Sequence, residues 1–348
     1  MQSLYFLQFI GAVLIILHHL AYPYEVGPLG STFFIIISGF LNAYIRSRRG
    51  DFHNTKEYFA IVFAKIKKNY LLYLVTILIG ACIQLGHYSY DWKDLVCHIL
   101  MLQTTFPMGN KVFLFNVPVW FMATLSIIYF VLPLIDRFFD SKPGKKSKYL
   151  VLFFCFIILF LLTYFFKNNS PEHSLRWWFY YISPYSRIWE FIVGYVLYLI
   201  YKQHKDFVAN KVFFGKKFIF TLLEIVSIYM CYQTRVDGEF SMAVCTSALI
   251  LIFSLSQGFI SQCFSYFMLQ DLGKLSIDIF FWHQLVIEFI TFKLATIPHY
   301  SAEAGLNYNL LRFLFILVFT ICMANLWREL SAYFKKNFPQ KQEVKINK

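Results

Sequence analysis

The chain has 348 residues, 58% of them hydrophobic and 21% aromatic, and only 15% charged. Ordinary soluble domains are about 45–50% apolar and about 25% charged, so a soluble fold would leave apolar patches in water that monomers avoid. The formal net charge of +13 reads as membrane topology rather than nucleic-acid binding, because membrane proteins gather Lys and Arg on one side.

No cleavable leader is expected. Met1–Gln8 has no basic residue before the apolar run and no A-x-A-like site follows, so the first segment is read as a retained helix. A spanning helix needs about 20 mostly apolar residues. Ten segments qualify in chain order: 4–22, 28–46, 69–86, 118–136, 149–166, 183–201, 217–233, 240–257, 275–295 and 309–331. The stretch 95–106 is too short to span and is expected to lie on the protein as an outer-loop helix. With the N-terminus inside, 24 of the 32 Lys and Arg fall in inner segments and 8 in outer ones. That bias predicts an all-α integral membrane protein with about ten transmembrane helices and both termini cytoplasmic. A single domain is expected over 1–338, with a short polar tail at 339–348. Cys82, Cys97, Cys155, Cys231, Cys245, Cys263 and Cys322 show no C-x-x-C spacing, so neither a disulfide framework nor a metal site is expected.

The first segment, FLQFIGAVLIILHHLAYPY, places Gln8, His18 and His19 in an otherwise apolar helix. Eleven steps separate Gln8 from His19, three turns at 3.6 residues each, so both fall on one face roughly 16 Å apart along the axis. His18 is rotated about 100° from His19. Intramembrane ionisable groups usually line an interior path, which favours His19 as a functional group, with a neutral imidazole as general base. The second segment, GPLGSTFFIIISGFLNAYI, carries Gly30, Ser38 and Gly39, small residues that permit close helix approach.

These two segments together resemble the membrane acyltransferase-3 family of bacterial surface-glycan O-acyltransferases, which opens with Arg-x10-His and a G-x-x-x-F-F-x-x-S-G-F segment. Further stretches match in order. KIKKNYLLYL (65–74) is similar to the family's R-x-x-R-I-Y-P-L-Y, and VPVWFMATLSIIYFVLPLI (117–135) to W-F-L-x-x-L-x-x-Y-x-x-x-P-L. SRIWEFIVGYVL (186–197) is similar to R-x-x-E-F-x-x-G, and LGKLSIDIFFWHQLVI (272–287) to G-x-x-S-Y-x-x-Y-L-x-H-x-P. The chain departs from the pattern at Gln8, where the family has Arg, and at Lys65 and Lys68, where it has two arginines. Lysine keeps the charge and loses the bidentate fork.

The resemblance implies transfer of an acyl group, usually acetyl, from cytoplasmic acyl-CoA to a hydroxyl of a cell-surface or exported polysaccharide, or of a lipid-linked glycan. Acyl-CoA is then a co-substrate, and no cofactor is bound permanently. The implied setting is the cell membrane, crossed many times. His19 is expected as catalytic base, with an acyl-histidine intermediate as the other route. Gln8, Lys65 and Lys68 are expected on the donor, the lysines at the inner mouth of the third helix. Ser38, Trp120, Arg187, Glu190 and His283 are expected at the substrate, Ser38 near the oxyanion and Arg187 with Glu190 three residues on, sharing a helix face. Glu224, Asp278 and Glu288 are intramembrane acids to which the sequence assigns no partners. A glycan transporter or flippase, or a catalytically silent scaffold, are the competing functions. The first calls for repeats or matched broken helices, which the sequence lacks.

Overall fold

A computed structural model describes residues 2–20, 26–48, 55–85, 89–167, 171–212, 214–293 and 305–337. The expected tail at 339–348 lies outside the described residues. Among those described, the regular structure is all helical. In chain order the helices are α1 (Ser3–His19), α2 (Gly27–Arg46), α3 (Thr55–Gln84), α4 (Trp92–Ile99), α5 (Val119–Asp140), α6 (Lys142–Phe166) and α7 (Leu175–Trp177). They continue with α8 (Pro184–Asn210), α9 (Lys216–Gln233), α10 (Glu239–Leu255), α11 (Phe259–Phe264), α12 (Phe267–Lys274), α13 (Ser276–Lys293) and α14 (Gly305–Asn337). The single turn α7 winds on into a π turn at Trp178–Ile182, and the 3-10 turns Gly109–Phe113 and Thr234–Val236 lead towards α5 and α10.

Each of the ten segments expected to span is a helix. Length and apolarity suffice for crossing a membrane in five stretches: Gly27–Arg46, Lys56–Gln84, Val119–Asp140, Lys146–Phe166 and Asn307–Phe334. Helices α1 and α10 are apolar but have 17 residues each. Helices α8, α9 and α13 carry buried polar side chains within their apolar stretches, Arg187 and Glu190, Glu224, and His283 and Glu288 respectively. The third helix starts at Thr55, well before the predicted 69, because the helix runs on through the lysine-bearing stretch 56–68. Lys65 and Lys68 therefore sit within α3.

Helix α2 is the centre of the bundle. Ile35, Ile36, Ile37 and Phe40 are fully buried, so the segment is enclosed on more than one face. Its largest neighbour is α8, and two glycines set their distance. A Cβ at Gly39 would stand 2.0 Å from the Phe191 carbonyl oxygen, and one at Gly194 would stand 1.8 Å from that of Ile36. Small residues facing each other let the backbones meet, as at close helix crossings in lipid. The periphery differs. Helices α6, α9 and α14 expose Phe153, Phe154, Leu222, Ile225, Phe315 and Val318. Apolar faces of this extent are what a bilayer covers, and the chain is a membrane protein.

The three acids that the sequence left alone are partnered. Glu224 accepts from the Ile260 amide at 3.0 Å, Asp278 from Arg328 Nε at 2.6 Å, and Glu288 from Gln84 Nε2 at 2.9 Å. These three partners are remote in sequence; Glu288 accepts as well from Gln284 Nε2, four residues back on its own helix, at 3.2 Å. Between α3 and α5, α4 opens with a reciprocal capping box between Asp91 and Asp94, and Lys111 reaches back to Asp94 at 2.8 Å.

Candidate active site

One end of the bundle holds a cavity of about 680 Å³, a size typical of small-molecule sites. It forms where helix ends converge. His18 and His19 come from the last turn of α1, Ser31 from the first turns of α2 and Trp120 from the start of α5. Tyr181 comes from the π turn and Glu239 from the first position of α10. The cavity encloses the end of α1, so it meets two of its faces. Both histidines line the cavity, His18 from the face about 100° round the helix from that of His19. His18 packs over Gly27, where an added Cβ would lie 2.3 Å from the imidazole ring.

The His19 ring centroid lies 5.2 Å from that of His283 and 5.5 Å from that of His18. His283 is fully buried on α13, with Nδ1 facing the Ile279 carbonyl oxygen at 3.3 Å and Nε2 lacking a hydrogen-bond partner. An Nδ1–H donated to that carbonyl leaves Nε2 as an acceptor. Among the described residues no cluster of three or more His, Cys, Asp or Glu has the arrangement of a metal site.

Behind Tyr181 and Glu239 lies a buried ionic cluster. Arg187, 1% exposed, donates from Nη1 to Glu190 Oε1 at 2.7 Å and to Thr32 Oγ1 at 3.3 Å, and from Nε to the Tyr181 carbonyl at 2.7 Å. Its guanidinium carbon stands 4.8 Å from the Tyr181 ring centroid, and Nη2 is 3.6 Å from Glu239 Oε1. Arg187 and Glu190 pair as their spacing of three on one helix allows. Thr32 and Glu239 join them only through tertiary packing. A buried pair of this kind holds its geometry through its hydrogen bonds more than it adds stability.

The remaining expected residues lie elsewhere. Ser38 is seven residues beyond Ser31, about 10 Å further along α2, and its hydroxyl donates to the Phe34 carbonyl at 2.6 Å. Ser38 thus stands apart from the cavity, and Ser31 is the α2 hydroxyl that lines it. Gln8 is half-buried on α1, three turns from His19 and outside the cavity lining. Lys65 is half-buried and donates to Asn42 Oδ1 on α2, with its Nζ 5.7 Å from the Tyr129 ring centroid. Lys68 is exposed. The two lysines therefore face different surroundings. Asn42, which the sequence reading passed over, is 7% exposed and holds Lys65 against the bundle. An amide in so apolar a helix was the available clue.

Trp120 is placed on the cavity wall, with Trp177 near it. Trp178 turns its Nε1 to the Thr104 carbonyl at 3.2 Å and serves the fold.

The acyltransferase-3 model, described as an acyltransferase domain, matches residues 1–326. The chain belongs to the acyltransferase-3 family. The match takes in every helix that builds the cavity and reaches into α14. No curated protein and no solved structure is detectably similar to the chain. The family makes the protein a membrane acyltransferase in general terms.

Proposed function

We propose that the protein moves an acyl group, acetyl in the simplest case, from cytoplasmic acyl-CoA to a hydroxyl of a cell-surface or exported polysaccharide or lipid-linked glycan. It does so as a ten-span protein of the cell membrane with both termini cytoplasmic. The observation that carries this reading is His19, an imidazole in the last turn of an apolar helix and on a cavity wall, in a chain of the acyltransferase-3 family.

A sugar hydroxyl is a poor nucleophile near neutral pH and gains from a positioned base. His19 takes the hydroxyl proton as the oxygen attacks the thioester carbonyl. The carbon–sulfur bond then breaks, and the departing CoA thiolate takes a proton back from the imidazolium. His283 lies against His19 and holds its orientation, while Trp120 offers a stacking surface to the acceptor. Arg187 and Glu190 act on the acceptor through the wall they brace. Lys65 and Lys68 attract the CoA phosphates at the opposite end, and Gln8 lies between the ends along α1.

The test is acyl content of glycan purified from cells that carry each variant at matched membrane levels. His19→Ala should lower transfer by about 100- to 10,000-fold, the usual cost of losing a general base. His18→Ala should be far milder, since His18 is not the ring that meets His283. Near-normal acylation in His19→Ala, or its abolition by His18→Ala alone, would sink the assignment.

A further inference from the structure

Glu239 occupies an unusual position. It is 4% exposed, lines the cavity, and opens α10 directly after Gly238, whose φ of +104° turns the chain sharply into the helix. Its backbone amide donates to the Tyr180 hydroxyl at 3.1 Å. One carboxyl oxygen, Oε1, lies 3.6 Å from Arg187 Nη2, while Oε2 is buried with no hydrogen-bond partner. Arg187 Nη2 is also without one. Buried polar atoms are rarely left unpaired, so these two call for a partner.

Building on the acyl-transfer reading above, we propose that Glu239, braced by Arg187, is the acceptor-binding residue of this cavity and takes an uncharged, hydroxyl-rich ring. Three features select that class. Aromatic side chains from separate elements, Trp120, Trp177 and Tyr181, line the same space and offer flat faces to a ring. A hydroxyl both donates and accepts, so it satisfies a carboxyl oxygen whatever proton that oxygen carries. An aromatic cage with a carboxyl would equally suit an ammonium group, but the cations disfavour it here. Arg187 is within 3.6 Å of Glu239, and Lys167 and Arg235 line the cavity as well, against one further carboxylate, Glu172. Lys167 donates to the Val236 carbonyl and Arg235 to that of Tyr232. A neutral polyol meets no like charge among them.

The experiment measures binding without donor, so it stands apart from catalysis. The full-length protein in lipid nanodiscs is titrated with methyl β-glucopyranoside, and quenching of tryptophan fluorescence is followed to saturation. Choline is titrated in parallel. Acetyl-CoA hydrolysis by water is measured on the same samples. The glycoside should bind and choline should not compete. Glu239→Ala should raise the glycoside dissociation constant at least tenfold while its far-UV helical signal in the nanodisc stays that of the parent. Glu239→Gln keeps a donor and an acceptor in place and should stay within threefold of the parent. For a Glu239→Ala protein that fails to insert, Glu239→Asp draws the carboxyl back by one methylene and is expected to show the same tenfold loss. An unchanged constant in the Ala or Asp variant overturns the proposal, as does tighter binding of choline than of the glycoside. Absent acetyl-CoA hydrolysis with intact glycoside binding would count against the acyl-transfer reading alone.

Discussion

Replacing Gly194 by alanine tests how α2 and α8 meet. The added Cβ would sit 1.8 Å from the Ile36 carbonyl oxygen, and ordinary contact begins at 3.4 Å, so the helices must part by roughly 1.6 Å along that line. A backbone carbonyl cannot swing aside as a flexible side chain does. Ile35, Ile36, Ile37 and Phe40 on α2, and Phe191 and Val193 on α8, are all fully buried, and their contacts open together. A radial gap of about 1 Å already forfeits up to half of each contact's dispersion energy. Overpacking usually costs about 1–3 kcal/mol, and this case belongs at the upper end. A loss of about 3 kcal/mol lowers the folded-to-unfolded ratio roughly 150-fold. Reversible unfolding in mixed detergent micelles, read by tryptophan fluorescence, measures it. Gly215→Ala is the internal control. Its φ is +72° with nothing within 4 Å, so only the left-handed backbone is penalised, by about 1 kcal/mol. A Gly194→Ala protein no less stable than Gly215→Ala would refute the close approach of the two helices.

Lys65→Ala should weaken acyl-CoA binding more than Lys68→Ala, because Lys65 is half-buried against Asn42 and Lys68 is exposed; equal losses would make both simple surface anchors. Amide-exchange protection of α4, referenced to intrinsic exchange rates, should fall in two stages as pH drops. Burial keeps His98 below its ordinary value, so the unfolded segment gains a proton that the folded one lacks from about pH 6.5 downward, and protection declines. Burial alone would raise the Asp94 carboxyl, but hydrogen bonds from Lys111 and the Asp91 amide outweigh it and hold it low. Its share is complete above the unfolded value of about 3.9 and is lost below it. His98→Asn should remove the first stage and Lys111→Ala should weaken the second; a single stage unaffected by either variant would contradict the assignment. Reporter fusions after Arg48, Lys145 and Lys216 should read cytoplasmic, and those near Asn110 and Asp237 should read outside. Reversal at two of these sites would overturn the orientation and the proposed donor side.

Composition and periodicity determined that the chain is helical and membrane-bound, and they located ten helices to within a few residues at most ends. Those properties depend on near neighbours and on average hydropathy, which a linear pattern records. The starts of α3 and α6 and the ends of α8 and α14 were the exceptions, since lysine-bearing helix beyond the apolar stretch of a span reads like a loop. The ordered motifs also determined the family, and they singled out His19, Arg187 and Glu190 as residues of interest. Tertiary structure alone decided which polar groups meet. Glu239 follows a turn with no helical pattern of its own, and it reaches Arg187 across 52 positions of chain. His283 comes against His19 from α13, and Asn42 comes against Lys65 from α2. It also decided that His18 shares the cavity and that Ser38 does not, because what faces a cavity depends on where a helix ends as well as on its angular phase. Face geometry along one helix is a local property. The meeting of faces from different helices is fixed by close contacts such as Gly39 with Phe191 and Gly194 with Ile36, and no single segment contains that information.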